Sequence, residues 1–382
     1  MLAASSGPHG NDTLLARLKH RIKADGPLTI ADYMDACLSD PDFGYYTTQD
    51  PFGVSGDFTT APEISQIFGE LIGLWAAVVW QQMGSPDDVA LVELGPGRGT
   101  LMTDALRAAR TVPEFRDACS VHLVETSPVL RRAQAERLAD SGTEPNWHPD
   151  LRDLPAGPAI LIANEFLDAL PVRQFVLRQG KWFERCVGLS EQGALEFQTG
   201  PEVSGSRTGV SDNARACAIE GSIVECRPYA RRLVEQLAAR AREFPLTALI
   251  IDYGHEASAP GETLQAVRAH DFTDVLERPG QADLTAHVDF GDLRETAERR
   301  GLHAHGPVTQ RDFLLGLGLK ERCEKLIANA DVTTREYIAS GARRLVDPDQ
   351  MGQLFKVIAL SSSRQPPPPF PGQQDGTRQN DC

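Results

Sequence analysis

The chain has 382 residues, 41% of them hydrophobic and 24% charged, a globular composition long enough for more than one domain. Its formal net charge of -15 argues against a phosphate-tracking nucleic-acid binder and suits a cationic partner. The longest apolar run, from Leu71 to Trp80, falls short of the roughly 20 residues a spanning helix needs. No basic, then apolar, leader opens the chain, and the seven scattered cysteines form no C-x-x-C pair. A membrane span, a secretory signal and a metal site are therefore not expected, and a cytoplasmic location is.

In chain order, residues 13–38 carry helix-like apolar spacing broken by Gly26-Pro27. A loop rich in turn formers follows over 40–62, of a length that is often functional inside a compact domain. Ile64, Ile67, Phe68, Leu71, Leu74, Trp75 and Val78 recur at three- and four-residue steps, which predicts a helix over 63–83. Next come apolar runs at 89–94, 121–124 and 159–163, separated by helical patterns at 100–110 and 128–138. Ser127-Pro128 reads as the cap and first residue of the second helix. Short strands apolar on both faces and alternating with helices predict an α/β fold with a mostly parallel sheet.

After Pro171 the pattern changes. Residues 175–177, 181–183 and 195–197 read as hairpin strands, 200–213 as loop and 229–243 as helix, before strands at 248–252 and 355–360 resume the sheet. The predicted division is a helical N-terminal cover and loop over 1–86, and a core over 87–170 and 245–362. An inserted α+β subdomain for substrate or partner occupies 171–244. A disordered tail over 363–382 holds Pro366 to Pro369.

The sharpest local motif, Glu93-Leu94-Gly95-Pro96-Gly97-Arg98-Gly99-Thr100, joins the first core strand to its helix. In an open α/β sheet that turn lies at the carboxyl edge, where ligands bind, and glycines let the backbone turn sharply there. It is neither a P-loop nor the usual G-x-G-x-x-G dinucleotide turn. Glu93 is a poor neighbour for pyrophosphate, whereas S-adenosylmethionine (SAM) presents an ammonium and a sulfonium and no phosphate; charge favours SAM. A tight turn without ligand is the plain alternative.

Glu125, followed by Thr126, ends the second strand and has two oxygens for the two ribose hydroxyls, a role shared by NAD and SAM proteins; the plain alternative is a solvated strand-end glutamate. Asp150-Leu151 precedes the third apolar run, where a loop can meet an adenine edge. Asn164 and Glu165 end the third strand beside the expected cleft. Methyl transfer to nitrogen asks an enzyme chiefly to position the nucleophile and exclude water. A guanidinium arrives charged, and two carboxylates clamp its fork and aim one nitrogen at the methyl group. Glu165 and Asp168 are the candidate pair, with Asp252 at the end of the next core strand as a third catalytic candidate. The competing assignment has Asp168 capping a turn and Glu165 binding cofactor only.

Several long segments resemble one family. They are Gly56-Asp57-Phe58-Thr59-Thr60-Ala61-Pro62-Glu63-Ile64-Ser65, the glycine motif, and Asn164-Glu165-Phe166-Leu167-Asp168-Ala169-Leu170-Pro171-Val172. Thr263 to Val267, Asp283 to Phe290 and Met351 to Val357 complete the set, in order along nearly the whole chain. Together they resemble the MidA family, which includes a mitochondrial complex I assembly factor that methylates arginine on a core NADH dehydrogenase subunit. The resemblance implies a class I SAM-dependent methyltransferase, Rossmann-like, bacterial, and acting on an arginine of a partner protein. It places Gly95, Pro96, Gly97 and Gly99 in the SAM loop and Glu125 at the ribose. Thr59 and Thr60 would lie in a segment closing over the cofactor. A SAM-binding assembly chaperone without catalysis and an NAD-linked oxidoreductase are the competing functions.

Overall fold

The computed structural model describes residues 13–48, 60–328 and 330–371, which fall into two compact units. One comprises residues 60–168, 229–258 and 287–371, and the other residues 13–48, 169–228 and 259–286.

The first unit is built on β1 (Val89–Leu94), β2 (Cys119–Val124), β3 (Asn146–His148), β4 (Ala159–Asn164), β5 (Leu246–His255), β6 (His303–Thr309) and β7 (Phe355–Ser361). They lie side by side in the order β6-β7-β5-β4-β1-β2-β3, and the short strand Val288–Asp289 adds to the end of β5. β3, β2, β1, β4 and β5 run parallel; β7 is antiparallel to both β5 and β6. Every residue of β1 and β4 is buried, which explains their unbroken apolar runs.

The register brings the strand ends level. Leu94 pairs with Val124 on one side and Ala163 on the other, and Asn164 with Ile251. The carboxyl ends of β1, β2, β4 and β5 therefore meet at one edge. Strand order reverses between β1 and β4, so this edge opens at the switch point of the sheet.

Helices α1 (Gln66–Gln82) and α2 (Thr100–Ala109) cover one face, burying Ile67, Phe68, Trp75, Leu101 and Leu106 with Leu91, Ile160, Ile162 and Ile251. Their close approach depends on Gly73: a Cβ there would lie 2.4 Å from the carbonyl oxygen of Ala105. Helices α3 (Pro128–Leu138), α4 (Pro228–Ala241) and α5 (Phe290–Arg299) come later in the chain.

The second unit is antiparallel. Leu28–Thr29, Lys181–Leu189, Arg173–Arg178 and Ile223–Cys226 lie in that order, with Leu195–Val203 pairing along Lys181–Leu189 from Trp182 to Leu189. Gln265–Arg268 pairs with Asp271–Thr273 and Asp283–Thr285 in a second, smaller sheet. Helices Leu14–Asp25 and Ile30–Ser39, capped by Thr13 and Thr29, bury Leu18, Ile22, Tyr33 and Met34 against Val187, Ala266 and Leu284.

The units are divided differently from the expected domains. Residues 13–48 fold with 169–228 instead of forming one cover with 60–86, and the helix expected in the insertion joins the parallel-sheet unit from Tyr229 on. Residues 259–286, assigned to the core by sequence, belong to the antiparallel unit because Ala266, Ala282 and Leu284 are buried there. The expected tail is ordered at least to 371: Phe370 is buried and packs against Phe313 at 5.5 Å between ring centres. Residues 372–382 lie outside the described residues. Two strands of the sheet, β3 and β6, were not evident in the sequence, because both are short of apolar residues and lie at its two edges.

Candidate active site

At the end of β1 the backbone turns through Gly95, Gly97 and Gly99, all left-handed with φ of 60°, 52° and 79°. Such values strain any residue with a Cβ. At Gly95 the objection is also spatial, since a Cβ would lie 2.7 Å from Cδ2 of Phe166. The Gly95 N–H donates to Val124 O at 3.0 Å and the Gly99 N–H to Pro96 O at 2.7 Å, so turn, β2 and buried Pro96 form one rigid ledge.

Glu93 is buried beneath that ledge, and burial pushes its carboxyl up to about 8 despite the backbone N–H of Met102. Its Oε2 finds no hydrogen-bond partner among the described residues.

Glu125, also buried, accepts from the Ser127 N–H at 2.8 Å and from Gln134 Nε2 at 3.2 Å. Desolvation raises its pKa, opposed by these donors and the Thr126 N–H. Thr126 itself is exposed. Gln134 on α3, fully buried, was not singled out by sequence. Its Nε2 also donates to Gly97 O at 2.7 Å, and its Oε1 accepts from Trp147 Nε1 at 2.8 Å. One amide thus locks the glycine turn to the ribose candidate. A lone glutamine in an otherwise polar helix gives little warning of this.

The Glu125 N–H donates to His148 O at 3.0 Å, which sets the end of β3 and the following Asp150 and Leu151 beside Glu125. Leu151 is buried, whereas Asp150 caps the next turn and holds Arg152 at 2.8 Å and 3.0 Å, which lowers its pKa.

At the end of β4, Glu165 adopts φ of 48°, unusual for a side chain this large. Its Oε1 accepts from the Ala61 N–H at 2.9 Å and from Asn164 Nδ2 at 3.1 Å. Burial first, and then the neighbouring Asp168 charge, push Glu165 up to about 7, opposed by the Ala61 N–H, Asn164 and Arg344. Asn164 Oδ1 is buried and has no partner among the described residues. Asp168 is buried and accepts from the Tyr253 hydroxyl at 2.7 Å.

Asp252, the third catalytic candidate, is engaged with the backbone. Fully buried, it accepts the N–H groups of Leu167 and Asp168 at 2.9 Å and 3.1 Å on Oδ2 and that of Tyr253 at 2.9 Å on Oδ1. These bonds shape the loop that carries Glu165 and Asp168.

Thr59 lies outside the described residues. Thr60 begins the short helix Ala61–Ile64, its carbonyl accepting from Glu63 and Ile64. This segment ties the two halves of the site together: Ala61 holds Glu165, and Glu63 accepts from the Thr100 hydroxyl at the start of α2.

The edge between β1 and β4 therefore carries a glycine ledge, a buried strand-end glutamate on β2 and two buried acceptors that meet no donor among the described residues. Glu93 and Asn164 want a cationic or N–H-bearing ligand, and SAM presents both. Strand order, the antiparallel β7 and this edge define a class I SAM-dependent methyltransferase. The chain belongs to the S-adenosyl-L-methionine-dependent methyltransferase family whose model matches residues 71–308, which bears out the MidA resemblance.

A Drosophila melanogaster relative, named protein arginine methyltransferase NDUFAF7 homolog, mitochondrial, is 40% identical over 94% of this chain and 87% of its own length. The Homo sapiens protein arginine methyltransferase NDUFAF7, mitochondrial, is 36% identical over 91% of this chain and 83% of its own. A crystal structure from Burkholderia thailandensis, bound to S-adenosyl-homocysteine, matches with a TM-score of 0.78 and 27% identity, over 91% of each chain.

Proposed function

We propose that this protein transfers a methyl group from SAM to an arginine side chain of a partner protein, with Glu165 and Asp168 receiving the guanidinium. The observation that carries this reading is a pair of carboxylates on one loop, Asp168 buried and Glu165 half-buried and desolvated, at the edge where the cofactor ledge lies. A guanidinium fork matches two such groups, and fixed carboxylates hold one nitrogen in line with the methyl carbon. The relatives named protein arginine methyltransferases support it. Within the same reading, Glu93, Asn164, the glycine turn and Thr60 face the methionine part of SAM, Glu125 and Thr126 the ribose, and Asp150 and Leu151 the adenine. The acceptor is a subunit of a respiratory NADH dehydrogenase, the setting a bacterial cytoplasm, and nucleic acid is not a partner.

Labelled SAM incubated with the protein and a lysate of cells lacking it tests the reading. Label is expected in one protein band as methylarginine, and it disappears with Glu165→Ala while calorimetry still shows SAM bound. Wild-type protein that binds SAM and labels no band is the outcome against it.

A further inference from the structure

Glu165 and Asp168 sit on one short loop, yet their surroundings differ in kind. Asp168 faces a donor: Tyr253 aims its hydroxyl at Oδ2 from 2.7 Å, and the Tyr253 ring is fixed edge-on to His287 and Phe355 at 5.5 Å and 5.4 Å. Asp252 holds the same stretch of loop from the backbone side. Glu165 faces one amide N–H of the backbone and one of Asn164, with Arg344 of helix Val332–Val346 as the cation opposing its rise. A hydroxyl proton directed at a carboxylate stabilises the charged form, while desolvation beside a second carboxylate favours the neutral one. Two acids whose environments push them apart divide their labour.

We infer that Tyr253 is a positioning residue that keeps Asp168 as the standing anion anchoring the substrate guanidinium, leaving Glu165 to take the proton that methylation releases. The inference rests on the arginine methyltransferase reading. The balance is simple. A guanidinium nitrogen forms a bond to the methyl carbon, the carbon–sulfur bond breaks, and its electron pair stays on sulfur, which becomes a neutral thioether. The methylated guanidinium keeps a single positive charge only if that nitrogen sheds one proton, and the Glu165 carboxylate accepts it. A carboxyl at about 7 is well matched to that exchange near neutral pH.

Tyr253→Phe removes the hydroxyl and keeps the ring against His287 and Phe355. The assay is the initial rate of label transfer from SAM into the lysate band across pH, for the full-length wild type and the variant. Wild-type rate is expected to fall on the acid side with the slope of one ionisation, that of Glu165. In Tyr253→Phe the rate at the plateau falls about 10- to 100-fold, a second ionisation joins the acid limb and steepens it, and SAM affinity stays within about twofold. An unchanged pH profile overturns the inference, as does a parallel fall in SAM affinity, which marks a merely structural tyrosine. Should Tyr253→Phe not fold, Asp168→Asn decides: at least a roughly 100-fold rate loss with SAM still bound supports the anchor, and a near-wild-type rate removes it. Absence of label with wild-type protein refutes the parent reading instead, so the two failures are distinct.

Discussion

Glu93→Gln isolates the cost of a buried carboxyl whose Oε2 meets no donor among the described residues. The glutamine keeps shape and one carbonyl acceptor for the Met102 N–H but cannot ionise. The wild-type carboxyl is raised from 4.5 to about 8 by burial. An acid raised on folding binds an extra proton in the native state between those values, so its contribution to stability is present below about 4.5 and is lost as pH rises through about 8. The slope is about 1.4 kcal/mol per pH unit, and the whole interval amounts to at most roughly 5 kcal/mol. Urea unfolding of both proteins from about pH 5 to about pH 8.5 reads this directly. The stability of Glu93→Gln relative to wild type should climb across the range. A difference that stays flat with pH would refute the reasoning, because Glu93 would then be ionised without penalty. The same carboxyl should respond to its ligand. A cation placed beside Glu93 favours the charged form, so SAM binding near neutral pH should expel a proton from wild type and fewer from Glu93→Gln. Calorimetry in buffers of different ionisation enthalpy measures that release.

Gln134→Leu strips the bonds to Gly97 O and Glu125 and leaves the Trp147 N–H without its partner. It should cost about 2–3 kcal/mol of stability and weaken SAM binding by tenfold or so, both measurable by denaturation with and without SAM; wild-type affinity would detach α3 from the site. Asp252→Asn turns an amide toward the N–H groups that its carboxylate now accepts, orphaning at least one of them. A loss of about 2–4 kcal/mol in thermal or chemical unfolding is expected, and a change within about 0.5 kcal/mol would show the loop to be held by other contacts.

What the sequence displayed and what it hid have the same physical origin. β1 and β4 were readable because a central parallel strand is covered on both faces and so is written as a run of Val, Leu, Ile and Ala. The glycine ledge was readable because three left-handed residues leave few alternatives to glycine. β3 and β6, each an edge strand, carry His, Asn, Gly and Pro, and no pattern distinguishes them from loop. The site divides the same way. Glu93, Glu125, Asn164 and Glu165 stand at strand ends, where position alone marks them. Gln134 and Tyr253 act through hydrogen bonds to Gly97 and Asp168, far off in the chain, and nothing local in their segments announces that; Ala61 and Glu63 lie in a singled-out segment, but their bonds to Glu165 and Thr100 were not evident from it. Asp252 also stands at a strand end, and only the structure shows that its oxygens accept from the backbone of Leu167, Asp168 and Tyr253.

The carboxyl edge of this sheet concentrates acids where burial makes them expensive. Glu93, Glu125 and Glu165 are all raised, each by desolvation first, and Asp168 lies buried among them. In a site for a neutral ligand that arrangement would only lower stability. It becomes favourable when cations arrive: a sulfonium and ammonium at one end and, on the proposed function, a guanidinium at the other, each returning charge neutrality to groups already stripped of water. Stability given up at such a site commonly marks where function lies. If, as proposed, Glu165 and Asp168 receive a guanidinium, the same logic gives Tyr253 its part: in equal environments the two acids would share one proton, and the guanidinium would meet half of its anchor.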